Sequence, residues 1–455
     1  IELMVDAARA AAADAGAPRL LEQVQLVAAA GGWFRYRNPA QLVAERIGAP
    51  DAATVLSATS GTAPQDMVAL AAERIARGDL DVALVVGGEA RWSHQRLKRE
   101  GLAPPWTDEP GTGEPEPISA FSDEMMSEAT ALGAPVVAYA LFEDSLRSSS
   151  DETIDVHRER IAALWAGFSE VAASNPFAWD RTPRTSAEVG GPTPQNRMIA
   201  FPYTKAMVAN NTVDMASALL LCSVVAARAA GVERDRLVFP HVVTSGHETW
   251  RVIERHDLHG CPALSTAGRA AFAHAGLGPD DIEHIDLYAC FPAIVQMSAQ
   301  ALGLGFDRPL TVTGGLGFAG GAVANAVGHS IAAMVPRVRD GGWGLVHGNG
   351  GLATKHSFAV YADHPPTAFA RIDVQDAVDH AARRELPADW SGRAVVDAAT
   401  VVYDREGPAH VIAAVRDGDG RAWARSTDAA VIATTMDEGL AGAVVHRGAT
   451  GTLEP

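Results

Sequence analysis

The sequence predicts a duplicated α/β protein followed by a small antiparallel β-barrel, and three observations carry that expectation. An alanine-rich segment near the start has a late near copy, the order of strands, glycine turns and helices around it repeats, and the pattern changes to short strands after about residue 362. Strands alternating with helices build parallel or mixed sheets covered by helices, whereas short, closely spaced strands with turns between them build sandwiches or barrels.

The two copies, residues 7–16 and 267–276, agree at seven of ten positions. Each reads as a helix ended by glycine, which adopts the left-handed C-cap conformation without a Cβ penalty. Apolar runs follow them, Val24 to Ala29 and Ile282 to Leu287. The order then repeats. The first half shows a strand at 54–57, the turn Ser60-Gly61, a helix from Pro64 to Arg77 and a strand from Val82 to Val86 ending at Gly87-Gly88. The second shows a strand from Leu310 to Thr313, the turn Gly314-Gly315, a helix from Ala322 to Arg339 and a strand from Gly344 to His347 ending at Gly348. The halves are therefore placed at 1–235 and 236–362. Residues 92–203, richer in proline, charge and aromatics, are expected to form an ordered cap over the first half, with an amphipathic helix from Ile154 to Ser174. Residues 366–455 make the third unit, an OB-like barrel with strands at Ala394–Tyr403, His410–Arg416, Ala422–Ser426 and Ala430–Thr434.

At 455 residues the chain exceeds the size at which one core stops growing, consistent with several units. Its formal charge of −18 repels phosphates, which excludes a general nucleic-acid or anionic-membrane partner. The sequence holds no apolar run of about 18 residues, so no membrane span and a cytoplasmic protein are expected. The cysteines, Cys222, Cys261 and Cys290, are too widely spaced for a disulfide framework, and no histidine falls in a metal-ligand spacing, so no metal site is expected.

The residues at the turns resemble thiolases. Ala76 to Val82 followed by Gly87-Gly88-Glu89 is similar to the family's GGxE stretch, and Ser60-Gly61 stands where it has CxSG. Thr313 to Gly321 looks like GGxxxxGHPxG, Gly348-Asn349-Gly350-Gly351 like CxGGG, and Asp286 to Phe291 like NEAF, closest to the HDCF form of sterol-carrier-protein-x-type thiolases. The likeness spans about residues 1–362. With Gly31 to Tyr36, Phe201 to Lys205 and the β-rich tail, the chain most resembles the actinobacterial thiolase-like proteins (type 1) carrying an additional C-terminal domain. The resemblance implies two βαβαβ-type halves layered α/β/α/β/α, a strand ahead of Ile1, and an acetyl-CoA acetyltransferase-type role in lipid metabolism. Coenzyme A or acyl-CoA would be its ligand, with a homodimer as the family habit and a monomer allowed by the extra domain.

A thiolase needs a nucleophilic cysteine, a histidine that activates it and a second cysteine that moves a proton. By the same resemblance the first two fall on Ala58 and Gly321, which carry no reactive atom, and the second cysteine on His347 or Gly348, so that no cysteine stands there either. Loss of groups that act as a unit removes on the order of 10⁶ in turnover, so standard thiolysis and condensation are not expected. An active protein would be an acyltransferase moving groups other than aminoacyl groups; the alternative is a non-catalytic binder of CoA thioesters or lipids. Cys290 keeps a family position and is either a nucleophile served by His347 or His329, or an inert packed thiol. Tyr288 stands at the oxyanion-holding position and His347 at a strand end where a base could act. Ser60, Gly61, Asn210, Asn211, Gly320, Gly321, His329, Asn349 and Gly350 are the substrate-binding candidates. Arg35, Arg37 and Lys205 read as solvated surface charges rather than phosphate ligands. The run Gly315 to Gly320 matches GxGxxG, but the next strand ends without the acidic residue that would hold a ribose, which counts against a dinucleotide site. A third reading makes the tail a docking scaffold.

Overall fold

The computed structural model describes residues 1–386 and 390–454. Its first sheet is built from β1 (Leu26–Ala29), β2 (Ala53–Ser57), β3 (Val82–Ala90) and β4 (Glu116–Ile118). A small hairpin, β5 (Met198–Ala200) and β6 (Tyr203–Thr204), closes the insertion, and β7 (Asp214–Cys222) returns to the sheet. The order is β4-β2-β1-β3-β7, all parallel except β7.

The second sheet takes β8 (Phe239–His247), β9 (His284–Asp286), β10 (Gly344–Gly350), β11 (Lys355–Ala362) and β12 (Ala370–Asp373) in the order β12-β8-β11-β10-β9. Here β11 is the antiparallel member that answers to β7. The helices Ala63–Ala76 and Ala326–Arg339 pack on each other and touch both sheets, forming the middle layer of the expected five. Both repeat helices, Glu2–Asp14 and Pro262–Ala275, lie on outer faces and end at a glycine of positive φ, Gly16 at 68° and Gly276 at 70°.

Two strands expected from sequence are not strands. Residues 310–313 run alongside β9, but the Asp286 carboxylate accepts the amides of Val312 and Thr313 and the hydroxyl of Thr311, so a side chain replaces the ladder. Ala429–Asp437 is a helix, not the strand that its Val-Ile-Ala-Thr-Thr content suggested. Asp428 caps it through the amides of Ala430 and Val431, and Val431, Ile432 and Thr435 form its buried side.

The remaining tail strands are β13 (Gly392–Tyr403), β14 (Pro408–Asp417), β15 (Gly420–Ser426), β16 (Val444–Arg447) and β17 (Leu453–Glu454). They run β15-β14-β13-β16-β17, and a parallel bridge from Arg425 to Thr452 brings the ends together, with the helix between β15 and β16: an OB-like barrel. The insertion does not sit over the first half alone. Its helices Pro135–Ser149 and Ile154–Ser174 also bind the second half, where Arg160 and Glu143 hold the Gln296 amide at 2.8 and 2.6 Å, and the barrel, where Asp144 accepts from Ala399 N at 2.9 Å.

Candidate functional site

Parallel sheets place ligands outside the carboxyl ends of their strands, and the motif turns converge there. The turn after β2 carries Ser60 and Gly61, the segment after β9 carries Tyr288 to Phe291, and the β10–β11 turn carries Asn349 to Gly351. They meet closely: a Cβ at Gly61 would lie 2.7 Å from Tyr288 Oη, and one at Gly350 would lie 2.5 Å from Ser60 Oγ. Asn349 Nδ2 donates to Tyr139 Oη at 2.8 Å and points at Cys290 Sγ at 3.8 Å, while Tyr139 Oη accepts from Ala353 N at 2.9 Å. Its ring stacks on Phe291 at 4.5 Å. Ser60, Gly61, Tyr288, Cys290, Asn349 and Gly350 therefore form one cluster.

Tyr139 was not foreseen, because it comes from the middle of an insertion helix with no motif around it. Glu89, the acid of the GGxE stretch, is also buried nearby: it takes the Trp33 amide at 2.8 Å, and burial raises its pKa. The loop Gly31 to Trp33 packs on Ser57 and Ala58, and the Gly31 amide donates to Ser57 Oγ at 3.0 Å.

The remaining candidates do not act on Cys290. His347 is fully buried with both nitrogens occupied, Nδ1 by Ser298 Oγ at 3.2 Å and Nε2 by His356 Nδ1 at 3.3 Å, and it stacks on Phe358. Burial and the neighbouring His356 push its pKa well down, so the expected base is a neutral core histidine. His329 lies on the helix Ala326–Arg339 and lines a separate cavity; desolvation lowers its pKa to about 4. Burial pushes the Cys290 thiol up to about 12, although Tyr139 and Asn349 offer hydrogen bonds to its sulfur. Tyr288 is likewise held protonated by burial.

Two of the positions singled out by the resemblance, Gly348 and Gly321, are crowded. A Cβ at Gly348 would lie 2.6 Å from Ser357 Oγ and 3.3 Å from the Thr62 backbone, and one at Gly321 would lie 2.8 Å from Asn211 Oδ1. Gly321 N donates to Asn210 O and Asn210 N to Leu316 O, so both asparagines buttress this loop. Gly320 packs against Met215. In the GxGxxG run Gly315 N donates to Thr313 Oγ1, Leu316 N to Ala289 O and Ala319 N to Gly315 O, so these three amides are not free for a phosphate. Arg37 pairs with Glu114 at the surface, and Arg35 and Lys205 are exposed.

A cavity of about 1010 Å³ lies elsewhere, along the outer edge of β7 and lined by Leu219, Leu221, Phe239 and Ala333 among others. Among the described residues no helix is long and apolar enough to cross a membrane on its own, and no cluster of His, Cys, Asp and Glu is arranged for a metal ion.

With this geometry in hand, comparison with solved structures is decisive. An SCP2-thiolase-like protein type 1 from Mycobacterium smegmatis, described as monomeric, matches with a TM-score of 0.84 and 31% identity over 98% of this chain and 92% of that one. The chain belongs to the SCP2-thiolase-like proteins type 1. Family models agree, matching residues 373–452 as the thiolase-like protein type 1 additional C-terminal domain and 244–307 as thiolase C-terminal domain-like. The Ltp2-ChsH2(DUF35) aldolase matches at 19% identity with a TM-score of 0.60, covering 80% of this chain and 93% of that one. The dimeric peroxisomal thiolase of Saccharomyces cerevisiae matches at 15% with 0.56, covering 76% and 86%. These two share the fold. No curated protein matches the thiolase-like chain by sequence.

Proposed function

We propose that this thiolase-like protein takes acyl-CoA thioesters of lipid metabolism without the cysteine chemistry of thiolases. The observation that carries the reading is the state of Cys290. Its thiol is raised to about 12 by burial, and its polar neighbours are Tyr139 and Asn349, not an imidazole. A thiolate is the nucleophile in cysteine chemistry, and so high a pKa leaves almost none at neutral pH. The crowding at Gly321 and Gly348 supports the same reading, since a histidine or cysteine there would need its neighbours to move.

Ligand-dependent melting tests it. CoA and acyl-CoA at a hundred times their dissociation constants should stabilise the protein by about 2.7 kcal/mol, with no steady-state thiolysis or condensation. Sustained thiolase turnover that disappears in Cys290→Ala would refute the proposal. Stabilisation with no release of CoA at all would instead favour the non-catalytic binder, a reading supported by the burial of Tyr288, Cys290 and Asn349. A monomer is the expected assembly, as described for the mycobacterial relative, and light scattering would check it.

A further inference from the structure

The turn that lacks the cysteine carries a hydroxyl with a proton path attached. Ser60 Oγ lies 2.9 Å from Thr62 Oγ1, which lies 3.0 Å from Asp66 Oδ2. An ionised carboxylate only accepts, so the single hydroxyl hydrogen of Thr62 goes to Asp66 and that of Ser60 goes to Thr62. Ser60 Oγ accepts one long bond, from Thr62 N at 3.4 Å, and keeps its other lone pair. Ser119 Oγ donates to the same carboxylate oxygen at 2.5 Å. Asp66 is raised above the ordinary aspartate value by burial, opposed by the hydrogen bonds from Ser119 and Thr62 and by Lys355 of β11 and Arg371 of β12, which makes it a stronger proton acceptor than a solvated aspartate.

A second feature of the same cluster points to a ligand. Among the described residues Asn349 Oδ1 is buried with no hydrogen-bond partner, and Tyr288 Oη stands against Gly61 beside it. Buried polar atoms are nearly always paired. Both residues border Gly61, next to Ser60, and the Ser60 hydroxyl fills the place that a Cβ at Gly350 would take.

We propose that Ser60 is the acyl-accepting nucleophile of this site, with Thr62 and Asp66 as its positioned proton relay and Tyr288 as donor to the carbonyl oxygen. The proposal rests on the acyl-thioester reading above. In the step, the bond from Ser60 Oγ to the thioester carbon forms and the C–S bond breaks. The Ser60 proton passes to Thr62 as the Thr62 proton passes to Asp66. The departing thiolate takes a proton from Thr62 as Asp66 returns its own to Thr62, so one thioester and one serine become a serine ester and free thiol.

The full chain is incubated with p-nitrophenyl acetate and, separately, with acetyl-CoA, and the acetyl group is mapped by peptide mass spectrometry. A single acetyl on Ser60 is expected, with a stoichiometric burst of nitrophenolate. The ester should survive neutral hydroxylamine, which strips cysteine thioesters. Ser60→Ala should abolish the label, Ser60→Cys should keep it in hydroxylamine-sensitive form, and Asp66→Asn should slow the burst about 10²-fold or more and remove its acid limb. No label from p-nitrophenyl acetate, a label unchanged in Ser60→Ala, or a label on Cys290 overturns the assignment. A label from the nitrophenyl ester but none from acetyl-CoA upholds Ser60 and overturns the thioester reading.

Discussion

The two halves share one plan but are finished differently. In the second half the antiparallel strand β11 is sandwiched between β10 and β8, and nearly every residue along it is buried. In the first half its counterpart β7 has a partner only on the β3 side, buried and partly exposed residues alternate along it, and its outer edge opens into the 1010 Å³ cavity. The difference teaches that a large cavity of a duplicated protein can lie at a sheet edge, while the polar site lies at the strand ends where the halves meet.

Core truncations should expose this contrast most strongly. Phe358→Ala in β11 removes a fully buried ring stacked on His347 and is expected to destabilise by about 3–5 kcal/mol. Leu219→Ala in β7 removes a side chain that already borders the open cavity, and about 1–2 kcal/mol is expected because the gap left can merge with that space. Urea unfolding midpoints with their slopes would measure both. A Leu219→Ala loss as large as that of Phe358→Ala would mean that the β7 edge is covered in solution.

Acid should separate the halves next. His356, fully buried in β11, is lowered to about 3 by burial, with Arg255 adding to the effect and its bond to Ala353 O opposing it. The unfolded chain takes up this proton near 6.5 while the folded chain does not, so stability is full above 6.5 and falls as the pH drops toward 3. At pH 4.5 the loss from this histidine alone is about 2–3 kcal/mol. His347 acts in the same direction. Comparing urea midpoints at pH 7 and 4.5 in the parent and in His356→Gln would test it; an undiminished acid loss in the variant would remove His356 as the cause.

The duplication was legible because glycine and alanine patterning reports backbone geometry directly. The helix Ile154–Ser174 is legible to the residue from its amphipathic pattern, and Thr153 caps its start. The segments misread are those where a side chain overrode local preference: Asp286 in place of a ladder at 311–313, and Asp428 starting a helix in a β-branched run. The site was legible only in part. Ser60, Gly61, Tyr288, Cys290, Asn349 and Gly350 sit at motif turns and converge, but Tyr139 arrives from an insertion whose packing has no local signature. His347 was misassigned because period-2 alternation does not say which side of a two-sided buried strand faces the ligand. Thr62 and Asp66 carried a usable signal, a hydroxyl and an acid four residues apart at a helix start.

The smallest expected effect concerns a tie between the halves. Arg339, at the end of the second half's central helix, holds Asp14 of the first repeat helix with contacts of 2.9 and 2.6 Å. The Arg339 guanidinium, through its hydrogen bond, keeps the Asp14 carboxyl below its usual 3.8, partly offset by burial. A depressed carboxylate stabilises above its unfolded value and loses that contribution as the pH falls through the folded one, so this pair acts at pH 7 and fades below about 4. Asp14 is half exposed, and solvent screening limits the pair to under about 1 kcal/mol. Asp14→Asn should therefore lower the urea midpoint slightly at pH 7 and by less at pH 3, and added salt should shrink the difference. A salt-independent loss of several kcal/mol would show that the two halves depend on this contact far more than the buried helices between them suggest.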